Sequence, residues 1–242
     1  HSDMAVGNAI GSTICNIAFI IGLCACIKPI KIKKKSFTVK GIIMIVYLLI
    51  FYAFASDGVV QFKEGFYLIL MFALFILINV LEAKSTDAGF EETKNYSTGT
   101  KKDTIINIIK FGLGAWFIII GAHMLVDSGV KIAQIFKVPQ QIVSLTLLAV
   151  GTSLPELVTA VVAIAKGEEN ISIGNILGAN ILNLTVVLGG STLVSDNGLL
   201  ILPQTIFLDV PYSLLIMTIF ILSGILKEEI SRKVGILLFS IY

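Results

Sequence analysis

Two stretches of this chain place oxygen-bearing side chains where apolar residues would be expected. The first is Ala149-Val150-Gly151-Thr152-Ser153-Leu154-Pro155-Glu156. Pro155 removes a backbone donor and crowds the turn before it, near Gly151, so carbonyls there lose helical partners, with Ala149 a candidate. Thr152 and Ser153 add hydroxyls and Glu156 adds a carboxylate. Carbonyl, hydroxyl and carboxylate oxygens are the ligand set of hard cations such as calcium and sodium. The second stretch is repeated: Asn8, Ser12 and Asn16 fall at a spacing of four, and so do Asn175, Ala179 and Asn183. Each trio lies on one helical face. Their amide oxygens can coordinate a cation or bond a neighbouring helix, and spacing alone leaves both readings open. A nucleophilic pair of Ser153 with His123 has no motif behind it, and no enzyme is expected.

The elements that carry these residues belong in a bilayer. The 242 residues are 56% hydrophobic and 14% charged, with a mean hydropathy of +0.93. That is too little charge for a soluble domain's surface, which excludes a soluble enzyme, a disordered tail and a nucleic-acid reader. A helix needs about 20 apolar residues to cross. Runs of suitable length fall at roughly 4–27, 38–56, 64–82, 104–136, 140–166, 170–194 and 201–225, and the chain end cuts short another at 229–242. Cys15, Cys24 and Cys26 share the first run and read as packed free thiols. If each run crosses once and the lysine-rich loop 28–40 is cytoplasmic, only Lys63, Lys131 and Lys137 of the 18 basic residues fall outside. Such asymmetry supports the helix assignment and the orientation. The polar stretch 83–103 is then a cytoplasmic linker, dividing residues 1–82, with three helices, from 104–242, with five.

Glu156 sits deep inside the run 140–166, where a carboxylate costs a few kcal/mol or more and is a functional candidate by default. His123, Asp127, Asp209 and Glu82 lie near run ends and are expected to reach the interface.

The chain also contains an internal repeat. Residues 7–23, GNAIGSTICNIAFIIGL, align without gaps on 174–190, GNILGANILNLTVVLGG. Gly7, Asn8, Gly11, Ile14, Asn16 and Gly22 match Gly174, Asn175, Gly178, Ile181, Asn183 and Gly189. Glycine and asparagine are poor helix formers, so these matches weigh more than shared leucines. Small residues that let helices approach closely would explain the glycines but not the asparagines. In the expected topology the copies run in opposite directions, and inverted repeats point to a transporter with its site at the repeat interface.

The segment 149–190, with GTSLPE at 151–156 and GN-x-x-G-x-N-x-x-N at 174–183, resembles the α-repeat of the calcium/cation antiporter superfamily, which includes the sodium/calcium exchangers. Residues 7–22 resemble the second half of the other α-repeat. The resemblance implies an all-α polytopic membrane fold of two inverted five-helix halves, of which about eight helices would be present here. It implies antiport of calcium against sodium or protons by alternating access, in the cell membrane, with the ions as cargo and no cofactor. The family's ligands fall on Thr152, Ser153 and Glu156, the Ala149 carbonyl, Ser12 and Asn16, and Ala179 and Asn183. Two positions depart from the pattern. Ala179 replaces a common serine and has no side-chain oxygen, and Asn183 stands where exchangers often carry aspartate. The partner of GTSLPE in the other repeat would precede residue 1, so two N-terminal helices are expected outside this chain. A cation channel using the same oxygens, or a non-transporting membrane scaffold, are the competing readings. Oligomeric state is open, and no nucleic-acid partner is expected.

Overall fold

The structure is a computed structural model and describes residues 2–87, 101–137 and 149–242. Eight helices are seen among them: α1 (Ala5–Ile27), α2 (Lys34–Ala55), α3 (Phe62–Asp87), α4 (Lys101–Ile135), α5 (Leu154–Ala165), α6 (Glu169–Leu193), α7 (Thr205–Lys227) and α8 (Arg232–Ser240). All but α5 and α8 are long and apolar enough to cross a bilayer. A separate helical turn, Ala149–Thr152, precedes α5. The first part of the expected run 140–166 lies outside the described residues. So does 88–100 of the expected linker, while α3 and α4 extend over 83–87 and 101–103 at its two ends.

Local chemistry explains the helix ends. Lys28 precedes Pro29 and is extended, at φ −143° and ψ 129°, which stops α1. Gly167 takes a positive φ of 77° after α5 and lets the chain turn back into α6. The outward surface is apolar. Phe111, Trp116 and Phe117 on α4 are all more than half exposed, and α4 meets the rest of the described protein mainly at α5 and the turn before it. A face this apolar suits hydrocarbon or further apolar helices rather than water.

Two short antiparallel ladders, which alternation in the sequence did not announce, tie the halves together. β1 (Ile30–Lys31), between α1 and α2, pairs with β4 (Glu229–Ile230), between α7 and α8. β2 (Val59–Val60), between α2 and α3, pairs with β3 (Leu199–Leu200), between α6 and α7. Each ladder joins one loop from either side of the linker, so the halves interlock. The helices exchange in the same way. α8 packs on the end of α1, where a Cβ on Gly22 would lie 2.9 Å from the Phe239 nitrogen. α3 packs on the end of α6, where a Cβ on Gly189 would lie 2.8 Å from the Gly65 carbonyl oxygen. Gly22 and Gly189 are matched positions of the repeat, so the inverted relation read from sequence reappears as matched packing.

A further correspondence lies inside the repeat helices. α1 loosens to a π-helical segment at Cys15–Ile21, and α6 does so at Asn183–Val187. The matched residues Asn16 and Asn183 fall within these segments. Wider turns of this kind are rare and concentrate at functional sites.

Candidate ion-binding site

The chain is interrupted at Ser153, two residues past Gly151, where the disruption was expected; Gly151 itself lies in the helical turn Ala149–Thr152. Ser153 has φ −95° and ψ 0°, between the turn Ala149–Thr152 and α5. Pro155 then occupies the first turn of α5, where its missing N–H costs nothing. Gly151 lies in the preceding turn because α4 crosses there: a Cβ on it would come within 2.1 Å of Val126 Cγ2. α5 folds back on α6, and both pack against α1.

The two repeat helices grip this interrupted segment through their matched asparagines. The Thr152 hydroxyl donates to Asn8 Oδ1 at 3.2 Å, and Ser12 Oγ lies 3.1 Å from Thr152 Oγ1. On the other side, Asn175 Nδ2 donates to Thr159 Oγ1 at 3.0 Å. Thr159 in turn shares its one hydroxyl proton between the carbonyls of Pro155 and Glu156, at 2.9 and 3.0 Å. Asn8 and Asn175 are therefore helix-to-helix ties, one of the two roles that spacing left open.

The other role is open to a different set of atoms. Among the described residues, Asn16 Oδ1, Ser153 Oγ and Glu156 Oε2 are buried and have no hydrogen-bond partner. Asn16 and Ser153 are only 1% and 2% exposed. An unpartnered buried oxygen is costly in a folded protein. Here three occur within about one helical turn of the Ser12–Thr152 contact. One is an amide carbonyl, one a hydroxyl and one a carboxylate, which together suit a hard cation.

The expected residues thus divide. Ser12 and Thr152 are in direct contact, Ser153 and Glu156 share the following turn, and Asn16 lies one turn along α1 from Ser12. The Ala149 backbone belongs to the turn before the break. Asn183 begins the π segment of α6, half-buried, with no hydrogen bond to the others. Ala179 is half-buried and brings no oxygen.

Some features were not legible in the sequence. Asn180 is fully buried and accepts from Asn16 Nδ2 at 2.9 Å; it stands in the GN-x-x-G-x-N-x-x-N motif but off the spacing-of-four stripe, and the sequence reading assigned it no site role. His123, expected at the interface, lines a cavity of about 240 Å³ with Val126, Gly151, Thr152 and Pro155. Gly7, Gly174 and Gly178, which a close-packing motif would press against a neighbour, have nothing within 4 Å of an added Cβ among the described residues. The cysteines are free thiols, as read. No cluster of three His, Cys, Asp or Glu side chains occurs among the described residues.

Comparison with known proteins agrees with this architecture. The family model "Sodium/calcium exchanger protein" matches residues 1–81 and 106–242. The inner membrane protein YrbG of Escherichia coli K12 is 32% identical over 98% of this chain and 74% of its own length. The sodium/calcium exchanger MaX1 of Methanosarcina acetivorans is 28% identical, with 100% of this chain and 78% of that protein covered. In structure, the sodium-calcium exchanger NCX_Mj in 10 mM Na+ without Ca2+ superposes with a TM-score of 0.81 at 24% identity, over 100% of this chain and 75% of that one. The fold is shared, and with the matched family model it shows that this chain belongs to the sodium/calcium exchanger protein family of membrane cation antiporters.

Proposed function

We propose that the protein exchanges calcium for sodium or protons across the cell membrane, by alternating access at a site between the two inverted repeat helices. The observation that carries this reading is the set of three buried, unpartnered oxygens on Asn16, Ser153 and Glu156. The name of the relative MaX1, a sodium/calcium exchanger, favours the same ion pair.

The ligands would be Glu156, Thr152, Ser153, the Ala149 carbonyl, Ser12, Asn16 and Asn183. Calcium would bind the Glu156 carboxylate together with the hydroxyls and amides of that set and the glutamate of the other repeat's matching segment. Sodium ions, or a proton on Glu156, would replace it. A bare carboxylate is expensive to move through a barrier from which water is excluded, whereas a compensated one is not. The empty site therefore resists reorientation, and exchange is favoured over leak. Asn183 in place of an acid removes one negative charge, which favours weaker divalent binding or fewer ions held. The lysine-rich loop 28–40 and the linker 83–103 would face the cytoplasm.

The test is calcium uptake into vesicles containing the full-length protein, with an imposed sodium or proton gradient. Uptake should follow one of the two gradients and be abolished by Glu156→Gln. Calcium flux that needs no counter-ion would make the protein a channel instead. Uptake unaffected by Glu156→Gln would remove the site.

A further inference from the structure

We propose that Asn180 is a positioning residue for this site: it holds the Asn16 amide so that Asn16 Oδ1 is turned toward the cation. The inference rests on the ion-site reading above. Asn16 Nδ2 donates to Asn180 Oδ1 at 2.9 Å, and the two side chains are 1% and 0% exposed. Asn180 Nδ2 points the other way, to Met44 Sδ on α2 at 3.6 Å. A thioether accepts weakly and never donates, so it fixes which end of the Asn180 amide faces Asn16. Turning the Asn16 amide over would set oxygen against oxygen. Met44, Asn180 and Asn16 therefore form a polar relay with one orientation, ending on an acceptor, Asn16 Oδ1, that no donor meets.

The relay belongs to one repeat helix only. The position in α1 that matches Asn180 is Thr13, whose hydroxyl turns back to the Ala9 carbonyl on its own helix at 2.9 Å. Asn183, the matched counterpart of Asn16, consequently has no amide holding it among the described residues. Asn16 is a preoriented ligand and Asn183 is not, although the sequence makes them equivalent. Groups that orient a metal ligand through a hydrogen bond typically change affinity about 10–100-fold when removed.

The experiment measures calcium affinity by titration calorimetry, together with thermal unfolding, on the full-length protein in lipid nanodiscs. Asn180→Thr installs the residue that the matched position already tolerates, and Asn180→Ala is a smaller second variant. Both remove the amide oxygen that Asn16 Nδ2 meets (the shorter threonine hydroxyl turns to its own helix, as Thr13 does) and should weaken calcium binding by at least about tenfold. In an Asn16→Ala background neither should cause further loss. Asn180→Asp keeps an acceptor oxygen and should hold affinity within about twofold of the parent or tighten it. Variants that lower the unfolding temperature and leave affinity unchanged would overturn the proposal, as would losses that multiply with Asn16→Ala. Binding that survives Glu156→Gln overturns the site and this proposal together. Binding that falls with Glu156→Gln but is indifferent to Asn180→Thr and Asn180→Ala overturns this proposal alone.

Discussion

Ser12 on α1 and Thr152 beside the α5 break lie 3.1 Å apart, oxygen to oxygen, across 140 positions of chain. Because Thr152 donates its single proton to Asn8, the Ser12 hydroxyl is left to donate to Thr152. One hydroxyl chain thus joins a repeat helix to the segment that carries Glu156. Ser12→Ala and Thr152→Ala should each weaken calcium binding, and the double variant should lose less than the sum. A coupling of about 0.5–3 kcal/mol is expected for groups in one hydrogen-bond network. Calcium titrations on the four proteins measure it, and strict additivity would show that the contact does not matter to the site.

Ser153 offers a case where stability and affinity part. Its hydroxyl is buried without a partner. Ser153→Ala removes an unsatisfied group, so the thermal unfolding midpoint should hold or rise. Calcium affinity should fall, by roughly the 0.5–1.5 kcal/mol of one modest oxygen contact. Thr159→Val is the contrast. That hydroxyl is fully engaged with Asn175, Pro155 and Glu156, and its loss should cost about 1 kcal/mol of stability.

Asn183→Asp should tighten divalent binding. It adds a carboxylate beside a cation in a low-dielectric setting, where opposite charges attract more strongly than in water. Calcium should gain relative to sodium, read as a lower calcium concentration for half-maximal uptake at fixed sodium. An unchanged or weaker calcium response would put Asn183 outside the site.

The close approach of α6 to α3 predicts a split among the glycines. Gly189→Ala drives a Cβ to 2.8 Å from the Gly65 carbonyl, a backbone atom that cannot swing away. Overpacking of this kind costs about 1–3 kcal/mol. Gly178→Ala, on the same helix, meets open space among the described residues and should be neutral or stabilising by up to about 1 kcal/mol. Thermal unfolding of the two variants in one detergent compares them directly.

Gly151→Ala tests the approach of α4. The new methyl would meet Val126 Cγ2 at 2.1 Å, and valine has little rotamer freedom in a helix with which to yield. α4 should be displaced from the turn that carries Thr152. Gradient-driven uptake should slow, while Gly174→Ala, with open space beside it, should transport as the parent does.

Much of the fold was legible because hydrocarbon imposes a strong rule: every helix facing it must be long and apolar. The expected runs 4–27, 170–194 and 201–225 correspond to Ala5–Ile27, Glu169–Leu193 and Thr205–Lys227. That the chain would break near Pro155 was legible because a proline disturbs the turn before it, but the break falls at Ser153 rather than near Gly151. The β ladders were not, since two-residue strands carry no periodic signal and exist only because loops from opposite halves meet. The π segments were equally silent, since no spacing of residue types marks where a helix widens.

Residue type and spacing alone determined that Asn8, Ser12, Asn16, Thr152, Ser153 and Glu156 would sit in an apolar slab and had to be satisfied by protein or by ions. They could not assign which atom did which. Only the tertiary structure made Asn8 and Asn175 ties between helices, left Asn16 Oδ1 and Glu156 Oε2 without partners, and brought Asn180 in from off the stripe. The reason is directional. A hydrogen bond is specified by where its partner's donor or acceptor lies, and those partners are supplied by segments far away in the chain.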